Sequence, residues 1–182
     1  MQKSQKYHHR YFRRITISLV IVLLAFVGIQ AYSSHDQLEP HFIQPSNGWM
    51  TMNEAQTKAS MTGKKIIVHM FIDESPGCQK MKGRVYADPR VNRTLDQYFY
   101  RVKINGASDR EIIFNDKKMT MHEFAESLGV SAYPTTIFID SQGEIISQQG
   151  GYMKPEIFRK LLSYVGTDAY KKMEFDQFTL KK

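Results

Sequence analysis

The chain has 182 residues and a single cysteine, which excludes a disulfide scaffold and any zinc site built on two or more cysteines of this chain. Its 42% hydrophobic and 24% charged residues belong to a globular domain of ordinary core size, not to a disordered chain. The net charge of +7 invites a nucleic-acid reading, but Lys3, Lys6, Arg10, Arg13 and Arg14 supply +5 of it from an acid-free arm over residues 1–14, and the rest is nearly balanced, so no nucleic-acid partner is expected.

Residues 15–34 carry no charge at all. The apolar heart begins at Ile15 and ends at Ala31, about 26 Å as a helix at ~1.5 Å per residue, close to the ~30 Å hydrocarbon core of a bilayer. Five cations precede it and His35, Asp36 and Glu39 follow it, so the N-terminus is expected in the cytoplasm and the remainder in the periplasm or outside the cell. Tyr32 fits an interfacial anchor. A cleaved signal peptide is the competing reading, with a shorter apolar region and a small-residue site such as the one ending at Ala31. The length favours an uncleaved, single-pass transmembrane anchor.

Residues 35–48 are polar, contain Pro40 and Pro45, and read as a linker closed by the turn signal Asn47-Gly48. From Trp49 the elements alternate. Thr51 to Glu54 is a capping box, so a helix runs to about Met61 and stops at Gly63. Residues 65–72 form an apolar run of strand length, as in a central strand buried on both faces. Residues 79–86 suit a helix, and Asp88-Pro89 restarts one with Asp as cap and Pro at the first helical position. A second strand is expected over 98–104 and a long loop over 105–118. Thr120 to Glu123 is another capping box, opening a helix that ends at Gly129. Strands follow over 135–140 and 144–149, turned by Ser141-Gln142-Gly143, and Pro155 opens a last helix to about Val165. Strands alternating with helices and closing on a hairpin and helix argue an α/β mixed-sheet sandwich over residues 49–166, with a tail over 167–182.

A strand, a loop, a lone cysteine and a helix follow one another at residues 65–86. Trp49 with Glu54-Ala55, Cys78-Gln79-Lys80-Met81 followed by Val85 to Val91, the stretch Gly129 to Thr135, and Gly151 to Phe158 with the tail 170–175 stand in a characteristic order. Together they resemble the thioredoxin-like fold family, in particular SoxW-like periplasmic members. The resemblance implies a three-layer sandwich, a central mixed sheet flanked by helices, and a redox Cys-x-x-Cys. Here that tetrapeptide is Ser75-Pro76-Gly77-Cys78. The spacing from Cys78 to Val85 aligns Cys78 with the family's second cysteine, which leaves Ser75 in place of the nucleophile.

A dithiol reductase attacks with one thiolate and releases the mixed disulfide with the other. A serine hydroxyl has no accessible anion near neutral pH and no disulfide-exchange chemistry, so two-electron cycling within this chain is not expected. Cys78 is left with three readings: packing, a mixed disulfide with a partner or small thiol, or direct monothiol catalysis of thiol–disulfide exchange or isomerisation. His69, six residues before Ser75, stands where thioredoxins often carry a buried acid, and is a candidate proton acceptor for Cys78. The plainer reading is a half-buried strand histidine with an ordinary hydrogen-bond partner. A Ser75–His69 hydrolase lacks a nucleophile-elbow sequence. By resemblance Pro134 is the family's cis-proline, and Pro76, Tyr133, Pro134 and Thr135 face a bound extended peptide. Backbone pairing of that kind does not need a thiol. The expected partner is therefore an extracytoplasmic protein or peptide, within a membrane complex or outside one.

Other candidates carry less. His8-His9 has no ligand partners at metal spacing, and no metal or cofactor is expected. Asn92-Arg93-Thr94 is a glycosylation sequon inside an expected helix. The ten methionines read as core filling. Tyr170, Met173, Phe175, Phe178 and Leu180 lie among lysines, and suit either docking on the domain or contact with a partner or membrane.

Overall fold

A computed structural model describes residues 48–180. The basic arm, the anchor expected at 15–34, the expected linker up to Asn47, and Lys181 and Lys182 lie outside the described residues. No described helix is long and apolar enough to cross a membrane.

The described chain opens on a short strand β1 (Trp49–Met50). The Thr51 capping box is formed: the Thr51 hydroxyl accepts from the Glu54 amide, and the Glu54 carboxylate accepts from the Thr51 amide at 2.9 Å. It starts α1 (Met52–Thr62), which Gly63 ends at φ +75°, a left-handed conformation natural to glycine. Next come β2 (Lys65–Phe71), α2 (Pro76–Lys80), a π turn (Met81–Val85), α3 (Pro89–Tyr98) and β3 (Phe99–Asn105). The remainder is β4 (Glu111–Phe114), β5 (Lys117–Thr120), α4 (Met121–Ser127), β6 (Thr135–Ile139), β7 (Ile145–Gly150), α5 (Pro155–Gly166), a 3-10 turn (Ala169–Lys171) and α6 (Phe175–Leu180).

Five strands form one sheet in the order β1-β3-β2-β6-β7. β2 is central, parallel to β3 and antiparallel to β6, which is why its sequence is apolar without alternation. One face packs Ile66, Val68, Met70, Val102, Ile104 and Ile137 under α1 and α4. The other packs Ile67, Phe99 and Phe138 under Met81, Val85, α3 and α5. This is the expected α/β sandwich, a mixed sheet between two helical layers.

Three local expectations are corrected. The supposed loop at 105–118 holds the β4–β5 hairpin, whose two-residue turn places Asn115 and Asp116 at φ +49° and +61°. Asn and Asp tolerate that region, and this double positive-φ turn matches the twist of a hairpin. The helix expected from Gln79 begins at Pro76, because Ser75 caps it, and turns to π geometry at Met81. The Thr120-capped helix stops at Ser127, ahead of Gly129 at φ +65°.

The tail docks. Tyr170 and Phe175 pack against the α3–α5 core. The Tyr164 hydroxyl donates to the Met173 carbonyl at 2.6 Å, and Lys65 pairs with Asp168 at 3.0 Å.

Candidate functional site

The end of β2 and the start of α2 deliver Ser75, Pro76, Gly77 and Cys78 to one end of the sheet. Pro76 sits at the first helical position, where its missing N–H costs nothing. The Ser75 hydroxyl does two jobs. It accepts from the Cys78 amide at 3.3 Å and donates to the Tyr133 carbonyl at 3.1 Å. Ser75 thus caps the helix and ties it to the loop before β6.

That loop carries the one cis peptide bond of the described chain, Tyr133-Pro134. Its neighbours fix it closely. The Gly151 amide donates to the Pro134 carbonyl at 2.7 Å, and the Thr135 hydroxyl donates to the Ala132 carbonyl at 2.7 Å. A Cβ on Gly77 would lie 2.8 Å from Pro134 Cδ, so α2 and the proline ring meet where only a glycine fits. The Tyr133 ring lies across Gly106, whose own missing Cβ leaves it room. Among the described residues no hydrogen bond of the fold engages the Tyr133 N–H.

Cys78 is a free thiol, 5% exposed. Burial raises the phenol of Tyr133 above its ordinary value, with smaller contributions from Cys78 and Glu126.

His69 is brought beneath the same end of the sheet, but no hydrogen bond joins it to Cys78 among the described residues. It is 4% exposed, and its Nδ1 has no hydrogen-bond partner, so the half-buried histidine with an ordinary partner is corrected. Aromatic rings surround it: Trp49 at 6.3 Å, Phe71 stacked at 5.9 Å, and Tyr86 edge-on at 4.9 Å between centroids. Burial, with the Lys103 charge adding to it, pushes its imidazole down to about 4. The His69 ring is therefore neutral near pH 7 and a poor proton acceptor there. Burial likewise raises the Tyr86 phenol; Thr136 and Arg101 act against the shift, but no hydrogen bond of good geometry closes on its hydroxyl.

The structure therefore brings Ser75, Pro76, Cys78, Tyr133, Pro134 and Thr135 together and leaves His69 on β2 without a hydrogen bond to them among the described residues. Sequence reading missed Gly77, Gly106 and Tyr86. Only the close approach of other segments gives them meaning, and no local signal marks it. Among the described residues no three His, Cys, Asp or Glu side chains converge as metal ligands. Asn92 of the sequon is engaged: its amide donates to the Tyr86 and Asp88 carbonyls at 2.8 and 3.1 Å and its oxygen accepts from Arg101 at 2.7 Å.

Known proteins resemble this chain in sequence and fold. Over 157 residues the chain is 23% identical to the thiol:disulfide interchange protein DsbD of Photorhabdus laumondii, a match that covers 82% of this chain and 25% of that relative. The chain thus spans about a quarter of the relative's length. A thioredoxin from Thermus thermophilus matches at 25% identity and TM-score 0.54, over 64% of this chain and 85% of that one. A thioredoxin-fold protein from Helicobacter pylori matches at 19% identity and TM-score 0.58, over 74% and 84%. A putative disulphide-isomerase from Bacteroides thetaiotaomicron matches at 24% identity and TM-score 0.52, over 66% and 91%. The last two show the fold alone. The family profile described as a thioredoxin-like domain matches residues 52–166, from the first residue of α1 to the last of α5. With the sheet order, the capped helix after β2 and the cis proline before β6, that match places the chain in the thioredoxin-like domain family, among relatives of the thiol–disulfide interchange proteins.

Proposed function

We propose that this chain is a membrane-anchored, extracytoplasmic thioredoxin-like protein that has lost dithiol turnover and works by binding protein segments beside Tyr133-Pro134, as an accessory or assembly subunit. The observation that carries this reading is the pair Ser75 and Cys78. One thiol is available in the whole chain, it is 5% exposed, and the hydroxyl three residues before it is spent on a helix cap and on the Tyr133 carbonyl. The SoxW-like resemblance supports Ser75 as the replaced nucleophile, and the uncharged run at 15–31 behind five cations supports the anchor.

The binding step needs only backbone. An extended segment laid along the loop before β6 accepts from the Tyr133 N–H, while the Pro134 ring and Pro76 present apolar contact. Affinity then comes from strand-like hydrogen bonds and not from a mixed disulfide.

A monothiol enzyme is the second reading, favoured by the place of Cys78 in the first turn of α2. In that scheme the Cys78 thiolate attacks a partner disulfide, one partner thiolate leaves, and an external small thiol resolves the mixed disulfide, regenerating Cys78. An insulin reduction assay with glutathione separates the two. The binding reading expects turnover no higher than that of Cys78→Ala. Turnover abolished by Cys78→Ala would establish the monothiol enzyme instead.

A further inference from the structure

A second surface lies away from the Ser75–Tyr133 contact. A groove of about 510 Å³ runs between β1, the N-terminal end of α1, β3 and the β4–β5 hairpin, and none of Ser75, Cys78, Tyr133 or Pro134 lines it. The volume falls in the range of ~300–1,000 Å³ typical of ligand sites. Its floor is apolar: Met50, Met52, Ile104, Ile112 and Met121, with Trp49 as a wall. Methionine side chains adapt to varied apolar guests. Ile113 on the same hairpin is 45% exposed. The groove is preformed, because Gln56 of α1 clamps the hairpin: its side chain donates to the Ile113 carbonyl and accepts from the Asn115 amide, each at 2.9 Å.

Its charges are one-sided. Lys103, Arg110 and Lys118 border it against one acid, Glu111. Glu111 is paired with Lys118 at 2.8 Å, an exposed pair worth little and easily exchanged. Lys103 rests over the Trp49 ring at 4.4 Å, and neither it nor Arg110 has a carboxylate partner among the described residues.

We infer that this groove binds an extended, acid-bearing apolar segment of a partner protein, seating apolar side chains on the methionine floor and carboxylates on Lys103 and Arg110. The cations choose a peptide over a single-headed amphiphile. Lys103 lies on β3 and Arg110 in the segment ahead of the hairpin, so the two cations without a carboxylate partner stand on different elements and suit two carboxylates of one chain better than a single headgroup.

Trp49 is the only tryptophan and lines this groove, so its emission reports a guest seated there. The full chain in phosphatidylcholine liposomes is titrated with ten-residue synthetic peptides alternating Glu-Leu, Gln-Leu, Lys-Leu or Glu-Ser, and with decanoate. The Glu-Leu peptide shifts Trp49 emission and binds at least about tenfold more tightly than the other three, as loss of one or two charge contacts or of the apolar burial requires. The K103A/R110A variant, its fold checked by circular dichroism, loses about tenfold or more of that affinity, while Lys172→Ala binds as the unmodified chain does. No Glu-Leu binding, equal binding of the Lys-Leu peptide, undiminished binding by K103A/R110A, or binding of decanoate without the peptide would each overturn the inference.

Discussion

The Ser75 hydroxyl donates to the Tyr133 carbonyl at 3.1 Å, so the residue that opens α2 is tied directly to the residue before the cis proline. A hydroxyl makes this bond and also caps the Cys78 amide. A thiol in its place would make neither well, but would gain exchange chemistry with Cys78 one helical turn on.

Ser75→Cys is therefore expected to create a Cys-x-x-Cys pair that oxidises to a disulfide and reduces insulin with dithiothreitol. The unmodified chain and Ser75→Ala should show no such turnover. Loss of the cap should cost Ser75→Ala about 1 kcal/mol in urea denaturation. If Ser75→Cys stays silent in the insulin assay although its disulfide forms, the missing thiol is not what separates this chain from a reductase.

Cys78 gives a direct measure of access. At 5% exposure its sulfur is reached by reagents through local opening of α2. Iodoacetamide should label it at least about tenfold more slowly in the folded chain than in guanidinium, and Ser75→Ala, by loosening the helix start, should speed labelling. Labelling as fast in the folded state as in denaturant would remove the case against a working thiol.

Gly77 tests the contact between helix and loop. Alanine in a helix ordinarily gains up to ~1 kcal/mol over glycine. Here the added Cβ would lie 2.8 Å from the rigid Pro134 ring, so Gly77→Ala should instead destabilise by about 1–3 kcal/mol. Gly83, with nothing near its missing Cβ, is the control, and Gly83→Ala should be neutral or stabilising. Equal denaturation midpoints for the two variants would contradict the close approach.

How much of this was legible in the sequence depends on whether the signal was local. Thr51–Glu54, Thr120–Glu123, Asp88-Pro89 and the apolar run of β2 each carry their own structural instruction, and each forms where it reads. The cis proline was legible through the ordered motifs around it. The β4–β5 hairpin was not, since its turn is Asn-Asp without glycine and its strands are four residues each. β1 is two residues long and exists only because β3 offers it a ladder. Asn92 stood in a sequon inside an expected helix, and nothing local marked that its amide makes three contacts that bring Tyr86, Asp88 and Arg101 together, two of them local and one across from β3. The ring cage around His69 is likewise tertiary, drawn from β1, β2 and Tyr86.

That cage makes a pH prediction. His69 titrates at about 4 in the fold, below the ~6.5 of an unfolded histidine, because burial and Lys103 disfavour its charged form. Between those values the unfolded chain binds a proton that the folded chain refuses, so stability rises with pH there. The neutral imidazole's contribution is whole above pH ~6.5 and drains away as pH falls to about 4. For a side chain 4% exposed, that amounts to roughly 3 kcal/mol over the window. His69→Phe keeps a flat ring among Trp49, Phe71 and Tyr86 and removes the unpartnered Nδ1. It should match or exceed the unmodified stability at pH 7. Urea denaturation of both chains at pH 7.5, 5.5 and 4.5 cancels the carboxylates they share, leaving His69 in the difference. The difference should widen in favour of His69→Phe as pH falls. A constant difference across the three pH values would mean that His69 is protonated in the fold as readily as outside it, and that the cage does not exclude the charge.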